Sequence, residues 1–387
     1  MPVPEQLRDL VNHLVGEQEA MLTVLEALVS SESPSDDPDR LAATADLVSA
    51  EGEQRLGLVA ERLLSTGAPA LRWELPAYDS EVAPVVLLAH LDTVWPGGTT
   101  ERWPFSVSDG RASGPGAFDM KAGLVQAWFA LAELARSGLP HPPVILLVTA
   151  DEEIGSPAGR ALVEVAARNA SAVLVMEASA TGGALKVARK GVGNYWLHVT
   201  GLAAHAGLEP EKGVNALVAA ARLVLALEAL SAPALGTTVT PTLARAGSAQ
   251  NTVPAAASIA VDVRAASVAE QARVDDALRG LTVPSGATLR VEGGINRPPM
   301  EEAMASDLFA SACRAAEHCG LPPLQAARVG GGSDGNFTAA LGVPTLDGLG
   351  AVGGGAHAEG EHVLTATMPE RAALLAALIV EISRSSS

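Results

Sequence analysis

Three apolar runs in this chain each end in side chains able to hold a divalent cation. Val85-Val86-Leu87-Leu88-Ala89 runs into His90-Leu91-Asp92. Val144-Ile145-Leu146-Leu147-Val148-Thr149 runs into Ala150-Asp151-Glu152-Glu153, and Ala172-Val173-Leu174-Val175-Met176 ends on Glu177. Imidazole and carboxylate together suit borderline and hard dications, zinc foremost. The chemistry available to such a set is activation of a metal-bound water, with a spare carboxylate moving the proton.

The elements that must position these groups follow from the same runs. Short stretches of Val, Ile and Leu read as strands buried on both faces of a parallel sheet. Ligands of such sheets gather beyond the carboxyl ends of the strands. His90 and Asp92 stand two apart, so they share a face. If His90 binds a metal through one ring nitrogen, Asp92 can fix the other. Asp119 follows Gly114-Pro115-Gly116 at the start of a helix, where an aspartate is either a cap or a carboxylate bridging two cations. Asp151, Glu152 and Glu153 repel one another unless a cation is near. The turn signature Ile154-Gly155-Ser156-Pro157 would let one glutamate ligate while another acts as base; a solvated acidic loop is the plainer alternative. His357 and His362, in a glycine-rich segment, compete for one ligand position.

Composition bounds the rest. The chain has 387 residues, 48% apolar and 18% charged, the profile of a globular protein of two domains or of one domain with an insertion. A net charge of -18 disfavours nucleic acid and anionic membrane as partners. No apolar run reaches the ~20 residues of a membrane span, and no signal-peptide pattern opens the chain. Cys313 and Cys319 read as free buried thiols, in keeping with a cytoplasmic location.

Residues 5 to 65 carry a helical pattern, and strands and helices alternate from about 83 to 186. The expected elements 194–200, 215–230, 238–244, 257–264, 268–281 and 287–292 then give β-α-β-β-α-β, the ferredoxin-like order. The expected organisation is an α/β catalytic domain with a mostly parallel sheet, residues 1–187 and 296–387, interrupted by a ferredoxin-like α+β domain at 188–295.

Taken together, the blocks His90-Leu91-Asp92-Thr93-Val94, Gly114-Pro115-Gly116 through Asp119-Met120-Lys121, Asp151-Glu152-Glu153-Ile154-Gly155-Ser156, Glu177, Ala204-His205-Ala206-Gly207, Gly330-Gly331-Gly332-Ser333-Asp334 and His357 resemble the zinc metallopeptidase family of glutamate carboxypeptidase, aminoacylase and the acetylornithine and succinyl-diaminopimelate deacylases. Within that family the likeness is greatest to glutamate carboxypeptidase. The resemblance implies a di-zinc exopeptidase, with cobalt or manganese as other possible metals. It implies one ion on His90, Asp119 and Glu177 and another on Asp119, Glu153 and His357. Glu152 is then the general base on a water shared by the ions, and Asp92 supports His90. It further implies that His205 stabilises the oxyanion, that Asn251, Arg264, Gly331 and Gly332 bind substrate, with Arg297 a weaker choice than Arg264, and that the inserted domain serves as lid and homodimer contact. The implied reaction is release of a C-terminal amino acid, glutamate first, from a small peptide or N-acyl amino acid. The alternative is deacylation of an N-acyl amino acid.

A different class competes. Gly331-Gly332-Ser333-Asp334-Gly335 satisfies G-x-S-x-G, and Asp347 and His357 follow in the order Ser, Asp, His. A serine hydrolase would leave His90, Asp119, Glu152, Glu153 and Glu177 without a task. A non-catalytic binding protein on the same scaffold would lack a ligand or the base, and none is missing.

Overall fold

The computed structural model describes residues 3–64 and 67–385. The chain forms two compact units. The larger comprises Met1–Ala188, Glu302–Val329 and Ser333–Ser387, and the smaller comprises Arg189–Glu301 with Gly330–Gly332.

The larger unit is built on a six-stranded sheet in the order Glu61–Leu64, Pro69–Leu75, Val144–Thr149, Val85–His90, Ala172–Val175, Thr345–Leu346. Val85–His90 pairs in parallel with Val144–Thr149 on one side and Ala172–Val175 on the other. All three are buried along their whole length, as their unbroken aliphatic runs require. The register sets His90 beside Thr149 and Leu88 beside Val175. The residues that follow each strand therefore emerge at one edge of the sheet.

One strand, Glu61–Leu64, departs from the helical pattern expected up to residue 65, and a second, Pro69–Leu75, forms where no element was expected. The last helix of that region, Pro38–Leu56, ends at Gly57 in the left-handed conformation, and Glu61–Leu64 and Pro69–Leu75 follow as an antiparallel pair. Pro69–Leu75 then pairs antiparallel with Val144–Thr149, so the sheet is mixed at this side. Trp73 on that strand meets Trp128 edge-on, centroids 6.3 Å apart, and so locks the sheet to the helix Ala122–Ser137.

Glycine is required at two places that bear on the chemistry. A Cβ on Gly123 would lie 2.0 Å from the carbonyl oxygen of Met176. One on Gly350 would lie 2.1 Å from that same oxygen. The backbone that delivers Glu177 is thus gripped from two sides by main chain.

A second, four-stranded sheet in this unit has the order Gly353–Gly354, His362–Leu364, Arg111–Ser113, Ser106–Ser108. His357 lies in the connection between its first two strands. The helix Ser306–Cys319 carries both cysteines, which are free; Cys319 is buried but Cys313 only half-buried, a departure from the expectation for both.

The smaller unit holds a four-stranded antiparallel sheet in the order Thr238–Ala246, Ala256–Ala265, Gly191–Thr200, Thr288–Arg297, with helices Ala216–Glu228 and Val268–Arg279. This is the ferredoxin-like order. Along Gly191–Thr200, Tyr195, Leu197 and Val199 are buried while Asn194, Trp196 and Thr200 are exposed, the alternation of a sheet covered on one face. Asn215 and Ser267 cap the two helices by accepting from Val218 N and Glu270 N. The last strand outruns its expected end at 292. It continues through Gly293, paired with Tyr195, where a Cβ would approach the carbonyl oxygen of Asn194 to 2.1 Å. Among the described residues no helix is long and apolar enough to cross a membrane.

Candidate metal centre

Five side chains converge at the sheet edge. His90, Asp119 and Glu177 form one trio and Asp119, Glu153 and His357 another, each offering ligand atoms within 4.8 Å of one another. His90 Nε2 lies 3.7 Å from Asp119 Oδ1 and 3.6 Å from Glu177 Oε1. His357 Nε2 lies 3.3 Å from both Asp119 Oδ2 and Glu153 Oε2. Asp119 gives one oxygen to each trio.

The arrangement fits a pair of dications. Ligands at about 2.0–2.1 Å in a tetrahedron stand about 3.3–3.4 Å apart along each edge, close to these separations. His90 Nε2 and Glu153 Oε1 are buried without a hydrogen-bond partner, and a buried orphan of this kind calls for an ion or a water. Charge tells the same story. Burial opposes a positive His90, yet Asp119, Asp92 and Glu177 outweigh it and raise its pKa well above the ordinary histidine value. Asp119 and Glu153 push His357 up to about 10. Burial works against charge on Asp119, but His357 and His90 on either side hold its carboxyl far below the usual range. Burial pushes Glu153 up. Without a metal, protons on the two histidines supply the positive charge this acidic pocket demands.

Asp92 organises the supports. It is fully buried. Its backbone carbonyl lies 3.0 Å from His90 Nδ1, which leaves Nε2 to face Asp119 and Glu177. Its carboxylate accepts from Ser35 Oγ at 2.8 Å, Glu152 N at 3.2 Å and Glu153 N at 3.1 Å. Hydrogen bonds to a charged group contribute about 1.5–3 kcal/mol each, enough together to offset the several kcal/mol that burying an ion costs. One aspartate thereby orients both the histidine and the acidic turn.

The crowding of three acids after Thr149 resolves by division of tasks. Asp151 turns back and accepts from Ala158 N and Gly159 N at the start of helix Gly159–Ala167. Glu153 joins the second trio. Glu152 lines a small cleft of about 10 Å³ with His90, Met120, Glu177 and Asp334, on the order of one water. Of the two competing histidines it is His357 that joins the acids; His362 sits on a strand with Nδ1 2.9 Å from Gly360 O. Asp119 caps nothing, since helix Ala122–Ser137 begins without a side-chain cap bond.

Ser333 does not form a nucleophile elbow. It is fully buried, and its Oγ donates to Asp347 Oδ2 at 2.6 Å. His357, the imidazole that a Ser-Asp-His reading requires, faces Asp119 and Glu153 instead.

The remaining candidates belong to the smaller unit. His205 is exposed, and its Nδ1 accepts from Gly207 N at 3.1 Å and Leu208 N at 3.2 Å. Its neutral form therefore carries the proton on Nε2, as a donor. Ala206 N donates to Asn251 O at 2.9 Å, so His205 and Asn251 stand on adjoining backbone. Arg264 is paired along its strand with Asp262, Nη2 to Oδ2 at 2.9 Å. The carbonyls of Gly331 and Gly332 accept from buried Arg189 Nη1 at 3.2 and 3.0 Å.

Two supports went unnoticed in the sequence. Lys121 is fully buried, its Nζ donates to Leu28 O and Ser31 O at 2.8 Å, and burial pulls its pKa down to about 7. Glu361 accepts from the backbone N–H groups of Gly116, Phe118 and Asp119. Both partner main-chain groups, which leave no trace in residue spacing.

Comparison with known proteins agrees with this geometry. A profile of peptidase family M20/M25/M40 matches residues 86–381. Carboxypeptidase G2 of Pseudomonas sp. (strain RS-16) is 30% identical over 97% of this chain and 93% of its own. Succinyl-diaminopimelate desuccinylase 2 of Shewanella loihica is 31% identical over 72% of this chain and 81% of its own. The crystal structure of aminopeptidase PepT from Bacillus cereus superposes with a TM-score of 0.76 at 26% identity, covering 94% of this chain and 98% of that one.

Proposed function

Because the chain belongs to peptidase family M20/M25/M40, whose members are metallopeptidases and related amidohydrolases, we propose that it releases a C-terminal amino acid, glutamate foremost, from a short peptide or N-acyl conjugate. The observation that carries this reading is the sharing of Asp119 between two ligand trios, with Glu152 lining the same cleft. His90, Asp119 and Glu177 would hold one divalent ion and Asp119, Glu153 and His357 the other, with zinc the proposed metal. When bound, such a pair polarises a carbonyl and lowers the pKa of water.

The chain's own groups do the rest. Glu152, fixed through its backbone to Asp92, takes the proton from the attacking water and returns it to the departing amine nitrogen. His205 supplies an Nε2–H donor for the carbonyl oxygen, and Asn251 adds a side-chain amide. Arg264 provides the guanidinium for a terminal carboxylate, with Asp262 holding it in place. Gly331 and Gly332, anchored by Arg189, offer backbone N–H groups to the substrate. A homodimer through the smaller unit belongs to the same reading. The edge position of strand Thr238–Ala246 and the exposed Leu217, Val218 and Leu225 support it.

The likeness to a succinyl-diaminopimelate desuccinylase favours a second reading, deacylation of an N-acyl amino acid by the same residues. A panel of N-acyl amino acids, assayed on protein of measured metal content, decides between them. The expected result is turnover of acyl-glutamate that chelation abolishes and added metal restores. Brisk turnover of acetylornithine or succinyl-diaminopimelate, with acyl-glutamate untouched, selects the second.

A further inference from the structure

We propose that Glu361 is a positioning residue that sets the distance between Asp119 and His357, and with it the affinity of the second ion more than that of the first. Glu361 has no exposure to solvent. Its Oε1 accepts from Phe118 N at 2.8 Å and from Asp119 N at 2.9 Å. Its Oε2 accepts from Trp95 Nε1 at 2.9 Å and from Gly116 N at 3.1 Å. Three of these donors are main-chain groups of the loop that presents Asp119. The carboxylate is thus the fixed point about which that loop is wrapped.

The backbone of the same residue closes the turn that directly follows the one presenting His357. Ala358 N donates to Gly355 O at 2.9 Å, and Glu361 N donates to Ala358 O at 3.1 Å. His357 stands within the first of these turns at φ +61, a conformation uncommon for residues other than glycine. The carbonyl of Glu361 is pinned in turn by Ser113 Oγ at 2.7 Å. Side chain and main chain of one residue therefore bind the two loops that carry Asp119 and His357. The other ligand of the first trio with a histidine partner, Glu177, and His90 itself are delivered by the central sheet instead.

This division makes the effect selective. Loosening Glu361 shifts the shared Asp119 but leaves the other two ligands of the first trio, His90 and Glu177, where their strands put them, whereas the second trio has no ligand on the central sheet. It frees His357 to drift from Asp119, and their 3.3 Å separation defines the second trio. Supports that orient metal ligands typically change affinity 10- to 100-fold when removed.

The inference rests on reading the two trios as metal sites, and zinc titration of the metal-free protein against a chromophoric chelator separates the two questions. The wild-type protein is expected to take up two ions. Glu361→Gln keeps the shape but turns an amide NH₂ toward the N–H donors. It is expected to bind the second ion 10- to 100-fold more weakly and the first, which keeps His90 and Glu177 in place, by a clearly smaller factor. Glu361→Asp, which keeps the charge but shortens the reach, is expected to weaken the second ion by a smaller factor, and it serves if the Gln protein does not fold. Two ions held with wild-type affinity in the folded variants overturn the proposal, as does equal weakening of both. A wild-type protein that binds fewer than two ions overturns the metal reading itself, and this inference with it.

Discussion

The two ligand trios share Asp119 but are built on different foundations. His90 sits on a strand that is buried along its whole length, and Glu177 lies two residues past the end of another. Glu153 comes from the middle of a three-residue 3-10 helix and His357 from the connection between two-residue and three-residue strands. The side chain of His90 is 2% exposed and that of His357 53%. The lesson is that one position is fixed by sheet register and the other by a few hydrogen bonds. The first should be tight and slow to exchange, and the second weaker and more easily perturbed.

The largest test strikes the shared member. Asp119→Ala should remove both ions and reduce hydrolysis to background, measured as bound zinc per chain and as kcat. Retention of either ion at wild-type affinity would show that the trios do not depend on a common carboxylate. Next in size, Glu152→Ala should lower kcat about 10²- to 10⁴-fold with both ions still bound. This separates holding metal from moving protons.

A paired experiment sharpens the contrast directly. His90→Ala and His357→Ala should each lose one ion. The metal-free His90 variant should also melt lower than wild type, by the roughly 1–3 kcal/mol that unsatisfied buried partners cost. The half-exposed His357 variant should melt closer to wild type. Equal shifts in the two melting curves would erase the distinction between strand and turn.

Much of the first trio was legible in the sequence, and less of what supports the second. The strand ends were readable because unbroken Val, Ile and Leu runs have one good explanation, burial between layers, and polar groups after them have one exit. The ferredoxin-like unit was readable from alternation, although Gly293 and Gly294 hid the end of its last strand. Glu361 was not readable. Its partners are backbone N–H groups far away in the chain, and an acid among glycines looks like a solvated loop. Nor was the split of Asp151 from Glu152 and Glu153 visible, because helix capping at Ala158 and Gly159 depends on how the turn folds back. Strand Pro69–Leu75 was legible in the alternation of Leu71, Trp73 and Leu75 with Arg72 and Glu74, and is overlooked when only unbroken apolar runs are read as strands in that region.

The smallest effect concerns pH. In the metal-free protein the folded pKa of His357 is raised from its ordinary 6.5 to about 10 by Asp119 and Glu153. A raised folded pKa means stabilisation that is complete below about 6.5 and lost as pH climbs through about 10. The metal-free protein should therefore melt progressively lower across that window, modestly so because half-exposed charges are screened. Zinc-loaded protein, in which the imidazole has no proton to lose, should not show this dependence. A metal-free melting curve that rises over the same range would contradict the assignment.

The most direct measurement is anomalous diffraction at the zinc edge from crystals grown with zinc. Two peaks are predicted, one among His90, Asp119 and Glu177 and one among Asp119, Glu153 and His357. Density without an anomalous signal at either place, while zinc scatters elsewhere in the crystal, would contradict the two-metal account.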